Sequence, residues 1–249
     1  MKTIYIDKDN IGKWRARRTA KKLYRQSKND DIVIALSKNL MEHEVLNNTL
    51  NEYGIKVLND RWLFKFLIFD ILNFVAKMKE ERLEVISIAI LMDKADEIIM
   101  QQLVSIAKSV KTLKIVTKSK ISYSYIEKEL FEKDGIAIQI TNNKEKSLLN
   151  VDIILNFDFN EERISEYKIN HNAIIINLGK KIRLNKDIFI GKIINNYEIT
   201  FNEENYDIEI NKNNFDKTIL YESFIYRRDT FTNIQKQLKK DELKIRLLK

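Results

Sequence analysis

Short apolar runs recur along this chain at spacings that leave little choice of fold. VISIAIL (85–91), LKIVT (113–117), IAIQIT (136–141), DIILNF (152–157) and AIIINL (173–178) are each about the length of one strand. They are rich in isoleucine and bounded by polar segments, the pattern of strands. The segments 95–111 and 122–134 read as helices between them, with a short helix expected near 144–150. Strands alternating with helices imply a parallel layer covered by helices.

A smaller set of the same kind comes first: strands KTIYID (2–7), DDIVIALS (30–37) and IKVLND (55–60), with helices over 11–28 and 41–53. Asp9 or Asn10 is the expected cap of the first helix, and Gly54 and Gly135 fall where helices end. Residues 61–80 are apolar almost all round, which predicts a helix packed on several sides. After 195, NYEITF (196–201) and YDIEI (206–210) suggest a hairpin, followed by helices over 216–227 and 230–248. The expected fold class is α/β: two α/β units joined by a buried helix, the second a Rossmann-like, mostly parallel sheet. The boundaries are a first unit over 1–60, the connecting helix over 61–82, the Rossmann-like unit over 83–195, and a tail over 196–249 that packs back on the body.

Composition narrows the function. Cysteine is absent and there are two histidines, His43 and His171, which excludes thiolate chemistry and a multi-histidine metal site. His43 reads as an exposed helix residue and His171 as a loop residue. The start of the chain lacks a signal-peptide pattern, and WLFKFLIFDILNFV (62–75) is too short to span a bilayer. The expectation is a soluble, cytoplasmic protein with no membrane partner.

"LKIVTKSKISYSYIEKELFEKDG", "KSLLNVDIILNF" and "NAIIINLGKKIRLNKDIFIGKI" together resemble the cofactor domain of the shikimate dehydrogenase and methylenetetrahydrofolate dehydrogenase families, over about residues 85–195. The resemblance implies a doubly wound sheet, a smaller α/β domain placed first, and NADP as a cofactor. It would set Gly179 beside the cofactor and the basic and hydroxyl groups of Thr117, Lys118 and Lys120 at a 2′-phosphate. Tyr24 and Lys28 reproduce the Tyr-x-x-x-Lys spacing of one family's catalytic lysine, but in the first helix.

The functional positions depart from those families. The glycine-rich turn would fall at 92–97, where the chain reads Met-Asp-Lys-Ala-Asp-Glu. Asp93, Asp96 and Glu97 satisfy a helix N-terminus themselves and repel a pyrophosphate. Phe157 and Phe159 in NFDF (156–159) would crowd a nicotinamide. Whether Asp93 and Asp158, both just after strands, meet depends on strand order. The leading expectation is therefore a Rossmann-like protein without an intact dinucleotide loop: a binding or regulatory module, not a dehydrogenase, needing no cofactor and holding a small ligand or a protein partner in a cleft between its units. An atypical NADP-dependent oxidoreductase is the first alternative, and self-association is compatible with either.

A third reading rests on charge. Residues 1–80 carry 16 basic and 10 acidic side chains, and KWRARRTAKKLYRQSK (13–28) has eight basic residues and no acidic one. Four of the eleven arginines lie here, so the general lysine richness of the chain does not explain it. On a helix, Ala16, Ala20, Leu23, Tyr24 and Ser27 share one face, while Trp14, Arg15, Arg17, Arg18, Lys21 and Arg25 lie on the rest. A basic helix with an outward aromatic is a candidate for nucleic-acid contact. "IYIDKDN" (4–10) adds Asp7 and Asp9 after the first strand, resembling the Asp-x-Asp start of haloacid-dehalogenase-type phosphatases, which implies a divalent metal there.

Overall fold

The structure is a computed structural model that describes residues 1–8, 11–206 and 210–249. In chain order it runs β1 (Lys2–Ile6), α1 (Lys13–Ser27), β2 (Ile32–Leu36), α2 (Lys38–Met41), α3 (Glu44–Glu52), β3 (Lys56–Val57), α4 (Arg61–Phe66) and α5 (Ile68–Met78). Then follow β4 (Ser87–Leu91), α6 (Glu97–Ser109), β5 (Thr112–Val116), α7 (Ser124–Asp134), β6 (Gln139–Thr141), β7 (Ile153–Asn156), α8 (Glu161–Ser165), β8 (Ile174–Asn177) and β9 (Lys192–Ile194). The chain closes with β10 (Tyr197–Thr200), α9 (Lys217–Ile225), α10 (Phe231–Lys240) and β11 (Lys244–Leu248). It divides into two compact units, Met1–Leu63 with Glu198–Arg246, and Phe64–Tyr197 with Leu247–Lys249.

The first unit is built on the parallel sheet β1-β2-β3. Every residue of β2 is buried, as its unbroken apolar run IVIAL requires. One face packs Ile32, Ile34 and Leu36 with Ala16, Ala20 and Leu23 of α1 and Leu46 and Leu50 of α3. α9 contacts β2 as well and is buried from Thr218 through Ile225. Thr3 donates its hydroxyl to the Ser223 carbonyl, and the hydroxyls of Tyr5 and Ser223 are hydrogen-bonded at 2.8 Å.

The second unit carries six parallel strands in the order β6-β5-β4-β7-β8-β9. That is the doubly wound Rossmann order, with its switch point between β4 and β7. β7 is buried throughout, so this sheet is covered on both faces. One side of the core joins Ala89 and Leu91 of β4 to Ile154, Phe159, Ile164 and Ile175.

Several expectations change. The continuous helix over 61–80 is two helices that break at Leu67, and α5 is amphipathic: Ile71, Leu72, Val75 and Ala76 are buried while Asp70, Lys77 and Met78 are exposed. No helix forms at 144–150. There the Asn143 carboxamide oxygen accepts the N–H groups of Glu145 and Lys146, each at 3.0 Å, closing a turn, and Leu148 then bridges to Ile169. β10 pairs with β11, and the expected hairpin partner YDIEI (206–210) includes residues 207–209, which lie outside the described residues. The last helix stops at Lys240, because Glu242 turns into the left-handed region (φ 51°) and KIRLL continues as a strand. α1 is preceded by Gly12 as cap residue, whereas Asp9 and Asn10 lie outside the described residues. No helix among the described residues is long and apolar enough to cross a membrane.

Candidate functional site at the carboxyl edge of the six-stranded sheet

In a doubly wound sheet the ligand crevice opens at the carboxyl ends of the strands, beside the switch point. Here that edge is formed by the turn after β4, the loop after β5 and the loop after β7, and all three are tied together by side chains. Asp158, after β7, reaches back across the switch point. Its carboxylate accepts the N–H of Asp93 at 3.0 Å on both oxygens and the N–H of Lys94 at 3.0 Å. Two successive backbone N–H groups just after β4 are the donors an anion would use. A carboxylate of the same chain holds them.

Asp93 is enclosed in turn. It accepts the Lys118 N–H at 2.8 Å and the Thr117 hydroxyl at 3.3 Å, and it forms a bidentate pair with Arg163 of α8, whose second bond is 2.8 Å. The Arg163 guanidinium lies 3.3 Å from the centre of the Phe159 ring. Arg163 holds the Asp93 carboxyl below the usual carboxylate range, with partial burial opposing and the Lys118 N–H assisting. Asp96 caps α6 by accepting the Ile98 N–H at 3.1 Å and pairs with Lys65 at 2.7 Å.

Tyr123 completes the cluster. It is fully buried, and its hydroxyl has no hydrogen-bond partner among the described residues. Burial, reinforced by the negative charges of Asp158 and Asp93, pushes that hydroxyl up to about 12. Asp93 is thus held ionised and Tyr123 protonated, so neither is poised for proton transfer near neutral pH.

Three asparagines shape the next part of the edge. Asn156 ends β7, Asn177 ends β8 and Asn195 follows β9. Asn156 donates to Asn177 Oδ1 at 2.8 Å, and Asn177 donates to Asn195 Oδ1 at 2.8 Å. Each also bonds backbone of a neighbouring loop: Asn156 to Phe159 O, Asn177 to Lys180 O, and Asn195 to Ile182 O. The loops so pinned border a cavity of about 630 Å³ with Phe157, Glu162, Gly179 and Lys181 in its wall. Gly179 has a packing reason of its own, since a Cβ there would stand 2.8 Å from the Phe157 carbonyl oxygen.

The residues singled out in the sequence are distributed as follows. Thr117 is buried and hydrogen-bonded to Asp93, while Lys118 and Lys120 are exposed at the end of β5. Trp14, Arg15, Arg17, Arg18, Lys21 and Arg25 are exposed on α1, in the other unit. Asp7 accepts both bonds of the Asn214 carboxamide at 3.0 Å, and Asp9 lies outside the described residues. No group of three potential metal ligands is found among the described residues. Tyr24 stacks on Tyr53 at 4.7 Å, with the Lys28 ammonium 5.0 Å from the Tyr24 ring. His43 is not an exposed helix residue but a half-buried cap: its Nδ1 accepts the Leu46 N–H and its Nε2 donates to the Ile11 carbonyl at 2.7 Å. His171 is exposed in a turn.

Arg163, Tyr123 and the asparagine series were missed by sequence reasoning. The only signal for Arg163 is its place three residues after Asn160, the cap of a five-residue helix. The asparagines sit at strand ends, where asparagine reads as an ordinary turn residue.

Neither a family model nor a curated protein matches the chain. Among solved structures it is similar to a dipicolinate synthase from Bacillus halodurans, at 12% identity and a TM-score of 0.43 over 66% of this chain and 58% of that one. It is also similar to the dipicolinate synthase from Bacillus subtilis, at 12% identity and a TM-score of 0.40 over 69% of this chain and 54% of that one. A shikimate dehydrogenase solved in complex with NADP+ aligns at 15% identity and a TM-score of 0.37, over 72% of this chain and 70% of that one. The chain spans less than two thirds of the length of either dipicolinate synthase chain. The likeness is a weak one of fold, and it includes a member of one family that the sequence resembles.

Proposed function

We propose that the six-stranded unit is a Rossmann-type binding or regulatory module that does not carry out dehydrogenation. The observation that carries this reading is the Asp158 carboxylate on the N–H groups of Asp93 and Lys94. A dinucleotide binds with its pyrophosphate on such groups. To do so here it must expel a tethered carboxylate and then sit beside ionised Asp93. Its small ligand would instead occupy the cavity next to the asparagine series, where Glu162 and Lys181 offer both signs of charge.

The test is a titration of NADPH and of inorganic pyrophosphate into the wild-type chain and into Asp158→Ala, followed by calorimetry and thermal shift. Wild type is expected to bind neither, and Asp158→Ala to gain measurable pyrophosphate affinity. A ligand at 100 times its Kd stabilises a fold by about 2.7 kcal/mol. A wild-type shift of that size with millimolar NADPH overturns the reading.

One observation favours an NADP-dependent alternative: Lys118 and Lys120 are exposed at the end of β5, the strand beside which a 2′-phosphate would lie. On that reading wild type binds NADPH, and Lys118→Glu abolishes the binding.

A further inference from the structure

The basic face of α1 works against the stability of its own helix. Its N-terminal turn has no acidic residue and no side-chain cap, and Lys13 and Arg15 stand at the positive end of the helix dipole. Cations there cost about 0.3–1 kcal/mol each. Arg17 and Lys21, Arg18 and Lys22, and Lys21 and Arg25 are like-charged pairs four residues apart, each mildly destabilising. Among the described residues, none of these side chains has an ion pair or a hydrogen bond that would offset the repulsion. Ala16, Ala20 and Leu23 already give the helix its buried face. Packing therefore accounts for the apolar positions and the Trp14 ring partners Arg18, whereas the other charges have no structural partner among the described residues.

The charges surround an aromatic ring. Trp14 is 70% exposed, with the Arg18 guanidinium 5.4 Å from its ring centre. Arg15, Lys21, Lys22 and Arg25, with Lys8 from the loop after β1, line a shallow depression of about 550 Å³ around that pair. From Trp14 to Arg25 the helix rises about 16 Å, the length of about five stacked nucleotides at 3.4 Å each. A row of cations beside one outward aromatic is the combination that holds a single strand: phosphates along the cations and a base on the ring. A duplex keeps its base faces stacked inside and gives Trp14 nothing to cover. An anionic bilayer would find one exposed apolar side chain on this face, too little to insert.

We propose that this face of α1 binds single-stranded nucleic acid without sequence preference, with a base stacked on Trp14 and phosphates on Arg15, Arg18, Lys21, Lys22 and Arg25. The proposal is independent of the reading of the six-stranded unit. The test uses the full chain and a fluorescein-labelled 20-nucleotide thymidine strand, followed by anisotropy. With about five phosphates neutralised, raising salt from 50 to 200 mM weakens binding about 100-fold. Trp14→Ala weakens it about tenfold and leaves the salt slope unchanged, because stacking releases no counterions. The triple variant Arg18→Glu, Lys22→Glu, Arg25→Glu abolishes binding, and its thermal unfolding confirms that these exposed changes leave the fold intact. Three results overturn the proposal: no binding at 50 mM salt, a duplex of the same length binding as tightly with Trp14→Ala without effect, or phosphatidylserine vesicles captured in preference to the strand.

Discussion

Replacing Arg163 by methionine is the sharpest probe of the cluster at the carboxyl edge. Methionine keeps most of the side-chain length and still packs on Phe159, so the change isolates the charge. The side chains of Arg163 and Asp93 are 14% and 27% exposed. An exposed ion pair contributes about 0.2–1 kcal/mol, and breaking a buried one costs about 3–5 kcal/mol. This bidentate, half-enclosed pair falls between, at about 2 kcal/mol. For a chain of this size that lowers Tm by about 4–8 °C. The pH dependence gives a second, independent check. The Asp93 carboxyl is depressed in the folded state, chiefly by Arg163. The pair therefore stabilises the fold fully above the ordinary carboxylate value of about 3.9, and its contribution is lost as pH falls through the depressed folded value. Circular-dichroism melts of wild type and Arg163→Met should differ most near pH 7, and the gap should narrow as pH falls below about 4. A difference under about 1 °C at pH 7, or a gap that persists undiminished at acid pH, would show that the pair does not hold this edge together.

Two further changes test the fold, one in each unit. Asp60 is buried at a left-handed backbone position (φ 62°) whose N–H donates to buried Glu222. Burial pushes the Asp60 carboxyl up to about 7, with Arg61 opposing and Glu222 adding to the rise. A raised carboxyl lets stability fall as pH climbs from the unfolded value near 4 to about 7, so Asp60→Asn should raise Tm by about 5 °C at pH 8 and flatten the profile between pH 4 and 7; an unchanged profile refutes this. Gly191→Ala would set its Cβ 2.5 Å from the Ala173 carbonyl oxygen and 2.4 Å from the Phe189 ring, and should cost about 2 kcal/mol in urea unfolding, with a loss under about 0.5 kcal/mol showing that the loop gives way.

What could be read from the sequence follows from what each segment buries. β2, β4, β7 and β8 are apolar because both faces are covered, so composition alone marks them. β9 is three residues of mixed character, and only its neighbour β8 makes it a strand. The break at Leu67 leaves no trace in the sequence, because it falls within the apolar stretch Phe66–Phe69. KIRLL reads as helix in isolation and becomes a strand because β10 offers it an edge. At the site, the absence of glycine from 92–97 and the three carboxylates there were legible, as was the position of Asp158 after a strand. The meeting of Asp93 with Asp158 was not. They are 65 residues apart, and only the crossover that sets β4 beside β7 brings them together.

That meeting changes what the missing glycines mean. A glycine-rich turn lets backbone N–H groups approach a phosphate closely. Here the turn still presents two N–H groups to one anion, without glycine, because the anion is a side chain delivered from the neighbouring loop. The tether makes Asp158 a competitor at high effective concentration, with no binding entropy left to lose. Arg163 then offsets the second carboxylate, Asp93, which would otherwise repel Asp158. The three groups together carry one net negative charge and satisfy one another. On the proposed reading Arg163 acts with Asp93 and Asp158 as one unit. Its loss weakens the edge by exposing Asp93 and Asp158 to each other, whereas loss of Asp158 alone returns the N–H pair to whatever anion can reach it.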